Sequence, residues 1–104
     1  MAAQYFIHSH YGHSSNKKEK AISDYLRSLE GCLLIGEPDQ ELLREVKSRV
    51  RELNEEFPRS RALDVSLSHH LSHEGYTLSI GNGTGSSVSW ILIQKVTSTM
   101  GYGD

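Results

Sequence analysis

The chain has 104 residues, 37% of them hydrophobic and 23% charged, with a formal net charge of −2 at pH 7. That length sets an expectation of one domain with a modest core, and that composition is too apolar for a disordered chain. The mild acidity disfavours a nucleic-acid binder, whose footprint is a basic face, and a single cysteine, Cys32, excludes the intramolecular disulfide that usually staples a small secreted domain.

The opening MAAQYFIHSH lacks the charged and apolar regions of a signal peptide. No apolar run approaches the length of a membrane span. The expectation is a cytoplasmic protein. Residues 4–11 (QYFIHSHY) have strand composition and end at Gly12. Ser14, Ser15 and Asn16 are each suited to cap a helix. Ile22, Tyr25, Leu26 and Leu29 then recur at helical spacing, and Gly31 suits the left-handed residue after a helix end.

Cys32 to Gly36 (CLLIG) is short and apolar, a buried strand or an extended connector, with Cys32 expected as an inert buried thiol. Glu37-Pro38-Asp39 opens a second helix. Its apolar stripe is Leu43, Val46, Val50, Leu53 and Phe57, Glu45 and Arg49 are spaced to pair, and Pro58 ends it. Three alternating segments follow. Leu63, Val65 and Leu67 alternate with Asp64, Ser66 and Ser68; Tyr76, Leu78 and Ile80 alternate with Thr77 and Ser79; Val88, Trp90 and Leu92 alternate with Ser89, Ile91 and Ile93. The glycine-rich GNGTG, residues 81–85, contains the Asn-Gly of a hairpin and precedes a strand, so it reads as a turn and not as a dinucleotide loop.

The order is β-α-(β)-α-β-β-β. It predicts an α+β two-layer sandwich over residues 1–96, with two amphipathic helices on one face of a four- or five-stranded, mostly antiparallel sheet. Residues 97–104 are expected to fray. The other face of the sheet would carry Asp64, Ser66, Ser68, Thr77, Ser79 and Ser89, polar enough for water and broad enough for a partner. Trp90 is expected in the core; exposed, it would be an interface anchor. Tyr5, Tyr11, Tyr76 and Tyr102 offer further amphipathic contact surface.

Histidines supply the competing chemistry. His8 and His10, two apart on a strand, should share a face. His70 and His73 form a second group, and the four together would make a zinc or other divalent-metal site if the groups meet. His8-Ser9-His10 is similar to the H-x-H that ends the first strand of several metallohydrolase families; the similarity covers three residues, and those families have longer chains and further ligands. His8 and His70 facing each other would serve as general acid and base on a phosphate ester. His70-Leu71-Ser72 resembles one H-x-[ST] element of the two-histidine phosphoesterases, whereas His8-Ser9-His10 does not fit the other. A serine nucleophile from Ser66 or Ser68 with His70 and Asp64 lacks the strained elbow such a residue needs.

Ser14, Ser15, Lys17 and Lys18, at a helix N-terminus, would suit an anion. No complete catalytic signature is present. The leading expectation is a small non-catalytic binding protein, inhibitor- or immunity-like, using the polar sheet face on a protein partner or a second copy, with no cofactor. The alternative is the histidine-dependent site.

Overall fold

The computed structural model describes residues 3–70, 74–83 and 87–96. The elements are β1 (Gln4–Gly12), α1 (Lys17–Arg27), β2 (Leu33–Ile35), α2 (Glu41–Glu56), β3 (Asp64–His70), β4 (Gly75–Gly81) and β5 (Ser87–Val96). The strands form one sheet in the order β2-β1-β5-β4-β3, every neighbouring pair antiparallel. Both helices contribute to one apolar cluster on one side of that sheet, the expected α+β sandwich.

Local chemistry explains the helix limits. Asn16 Oδ1 accepts from the Glu19 amide at 2.8 Å, capping α1. Ser28 Oγ and a turn through Gly31, whose φ is +89°, end it, and the Gly31 amide donates to Ile7 O. In α2 the buried stripe is Leu42, Val46, Val50 and Leu53. Leu43 and Phe57 pack against the cluster only in part, and Arg49 pairs with Glu52 at 3.0 Å. Helix α2 starts at Glu41, because Glu37 to Gln40 form a preceding turn in which the Gln40 amide donates to Glu37 O. Asn54 then fixes the return to the sheet: its side chain donates to Leu63 O and accepts from Leu63 N, at 3.0 and 2.9 Å.

Inward positions follow the strand alternation on β3 and β4: Leu63, Leu78 and Ile80 are buried, and Val65 and Leu67 pack against the core. Two expectations are overturned. On β5, Ser89, Ile91 and Ile93 face the helices, opposite Ile80, Leu78 and Tyr76 of β4, so Trp90 and Leu92 take the other side. The strand is apolar in both phases, so alternation alone does not choose between them; pairing with the inward positions of β4 does. Val88, beside the register shift at Ile80/Gly81, is buried as well. The second correction concerns Cys32, which is exposed at the entry to an edge strand whose Leu33 and Ile35 are also exposed. Only Leu34 of β2 packs against the core.

No described helix is long and apolar enough to cross a membrane. His73, the last two residues of GNGTG and the segment 97–104 lie outside the described residues.

Candidate functional site

Residues opposite each other in an antiparallel pair share a face, so the register defines the uncovered side of the sheet. One row is Tyr11, Trp90, Ser79 and Ser66; the next is Ser9, Leu92, Thr77 and Ser68; a third runs from Leu33 through Phe6 and Gln94 to His70. Asp64 lies at the end of β3 on the same side, and Ile35 faces outward opposite Gln4. The face is therefore divided. Its β3–β4 half is hydroxyl-rich, with Ser66 and Ser79 hydroxyls 3.0 Å apart. Its β2–β1–β5 half is apolar: Leu33 is 56% exposed, Ile35 66%, Tyr11 48% and Phe6 39%. The Tyr11 and Trp90 rings stack at 5.9 Å.

The expected polar face is thus correct for Asp64, Ser66, Ser68, Thr77 and Ser79, and wrong for Ser89, which is fully buried on the helix side. Sequence reasoning missed the apolar half. The signal was present in the doubly apolar β5 and in a β2 too short to be a core strand. Among the tyrosines, Tyr11 alone of the described ones reaches this face. Tyr5 and Tyr76 turn inward and both donate to Glu37 Oε1, at 2.9 and 3.0 Å, pinning the turn before α2 to the sheet. Burial, and then the Glu37 carboxylate, push both phenols above their ordinary pKa. Tyr102 lies outside the described residues.

The histidines do not assemble as expected. A β-bulge between Ile7 and Ser9 inserts His8 as an extra residue. Ile7 and His10 consequently face the helices, while His8 and Ser9 are on the open side, where their side chains hydrogen-bond at 2.9 Å. His8 and His10 are on opposite faces, which breaks the expected four-histidine group. His10 Nε2 lies 2.8 Å from Ser89 Oγ. Because the Ser89 hydroxyl donates to Tyr11 O at 3.3 Å, the ring N–H is the donor in the pair. Burial and the nearby Arg27 push the His10 pKa below its ordinary value, against Glu30 and Asp24. Among the described residues, no three His, Cys, Asp or Glu side chains come together as a metal site.

His8 and His70 do share a feature. Both line a shallow depression of about 320 Å³ on the open face, with Thr77, Leu92 and Gln94. His70 Nε2 is 2.7 Å from Thr77 Oγ1. Ser66 is bonded to Ser79, so the row Asp64, Ser66, Ser68, His70 simply lines the outer side of β3.

The anion expectation at the start of α1 meets an internal competitor. Ser15 donates both its amide, at 2.9 Å, and its hydroxyl, at 2.8 Å, to Glu19 Oε1, and these bonds hold the Glu19 carboxyl below its usual range. The chain's own carboxylate occupies the donors an anion would need. Lys18 does not flank them either: it is 2% exposed and donates to Arg61 O at 2.9 Å. Ser14 and Lys17 remain at the surface. No family model, curated protein or solved structure matches this chain.

Proposed function

We propose that the chain is a small non-catalytic binding protein that docks another protein molecule on the uncovered face of its sheet. The observation that carries this reading is the apolar half of that face. Phe6, Tyr11, Leu33 and Ile35 are exposed together beside Trp90 and Leu92. Scattered exposed apolar residues are ordinary, but a contiguous apolar patch with a polar margin marks an interaction surface. Aromatic side chains and a lack of charge are also what the centre of an interface carries.

The test is affinity selection with three proteins side by side: the parent, a face variant Leu92→Lys, and a helix-surface variant Arg44→Glu. The expected partner is retained by the parent and Arg44→Glu and lost by Leu92→Lys. Loss with Arg44→Glu alone would move the interface to the helices and overturn the reading.

A second reading, acid–base chemistry on a phosphate ester, is favoured by the depression that His8 and His70 share. It requires hydrolysis of a generic phosphodiester that disappears in both His8→Ala and His70→Ala. Equal background rates in all three proteins would dispose of it.

A further inference from the structure

We infer that the molecule docked on the open face is a second copy of this chain, packed sheet to sheet. The inference rests on the association reading above and names its partner. Three observations support it.

The first is charge. Among the described residues, the five strands carry only two formal charges, Asp64 and Lys95. Lys95 lies opposite Tyr5, on the helix side, and pairs with Glu74 at 3.4 Å. Among the described strand residues Asp64, at the sheet margin, is the one formal charge on this face, although the chain has eleven basic and thirteen acidic side chains. A surface selected for a foreign protein usually reads it by complementary charge, and a nucleic acid would need cations. A face emptied of charge has no such device, and it meets its own copy without repulsion.

The second is area. Four strands of seven to ten residues, about 24–34 Å long and about 4.8 Å apart, make a sheet roughly 19 Å wide, to which the three-residue β2 adds a strip about 10 Å long. One face therefore offers roughly 500–700 Å², and two faces about 1,000–1,400 Å², which reaches the size of a specific protein–protein interface. Of the two edge strands β2 has three residues and β3 seven, so pairing along either edge covers less surface than the open face.

The third is symmetry. Isologous dimers join the same patch to itself about a two-fold axis. An axis between the sheets, crossing the strands at the Ser9–Leu92–Thr77–Ser68 row, returns each strand onto its own counterpart. Leu92 then meets Leu92 near the axis, Phe6 of one copy lies over Tyr11 of the other, and the hydroxyl-rich halves oppose each other. The apolar half covers apolar surface and the serines keep polar neighbours. Stacked sheets of this kind are about 10 Å apart with strands some 30° askew.

The experiment is analytical ultracentrifugation of the full chain from 1 to 200 µM, with Trp90 emission followed over the same dilution. Trp90 is the only tryptophan and stands on the proposed interface. The expected result is a reversible dimer whose dissociation shifts Trp90 emission to the red and depends little on salt. Leu92→Lys and Phe6→Glu, each present twice per dimer, should weaken it at least tenfold. Phe6 is 39% exposed, so its variant keeps the core intact if Leu92→Lys does not fold. A dimer that dissociates with no change at Trp90 would overturn the sheet-to-sheet arrangement. A monomer throughout the range would overturn self-association; loss of a foreign partner in Leu92→Lys, under the affinity selection above, would then leave the association reading standing on its own.

Discussion

Lys18 is a buried ammonium in the first turn of α1, 2% exposed, with one bond to a neutral carbonyl, Arg61 O. None of the ion pairs among the described residues includes it. Burial pushes its pKa below the ordinary lysine value, so its surroundings favour the neutral amine. Removing an ion from water costs several kcal/mol, and a single charge-assisted bond returns about 1.5–3 kcal/mol. Lys18→Met keeps the length and apolar stem and removes the charge. The variant should be more stable at pH 7 by about 1 kcal/mol, a rise in Tm of about 4 °C for a domain of this size.

The sign changes predictably with pH. The folded pKa lies below the unfolded one, so the unfolded chain holds more protons between the two, and the parent gains stability as pH rises through that window. The advantage of Lys18→Met should be larger at pH 7 than at pH 10.5. Thermal melts of both proteins at pH 7, 9 and 10.5 read it. A variant less stable than the parent at pH 7, with a difference independent of pH, would refute the reasoning.

Three further outcomes follow from the packing. Tyr5→Phe and Tyr76→Phe should each cost about 1–2 kcal/mol in denaturant unfolding, and the double variant more than their sum, because either hydroxyl alone still satisfies the shared Glu37 oxygen; strictly additive costs would show the bonds independent. His10 has a folded pKa below its unfolded value, so its contribution is full above about pH 6.5 and lost as pH falls below it; melts of His10→Gln at pH 7 and 5.5 should lose less stability than the parent. Cys32 is exposed and should react with one equivalent of a thiol reagent in the native protein, whereas protection until unfolding would contradict its placement.

The elements that could be read from sequence were those whose pattern had one solution. Helix α1 has one apolar stripe and a capping residue, and β3 and β4 alternate cleanly. Strand β5 was misread because its Trp-Ile-Leu-Ile run satisfies either phase, and the partner strand decides between them. The apolar half of the open face was lost with it, since placing Trp90 and Leu92 inward made that face look wholly polar. The anion expectation overlooked a local competitor: Glu19, four residues after Ser15, reaches back to the Ser15 donors. The histidine grouping failed because strand periodicity contains no mark for a bulge.

That bulge has a consequence of its own. Ile7 points inward and Ser9 outward, and alternation is regular on either side of the extra residue. A chain lacking His8 would keep every remaining partner in β1, with Tyr11 still over Trp90 and Ile7 still in the core. The sheet therefore closes without this position, and hydrogen bonding in the ladder does not dictate its side chain. Where folding makes so few demands, the choice of an imidazole on the open face, at the rim of the hollow it shares with His70, is free to answer to whatever meets that face.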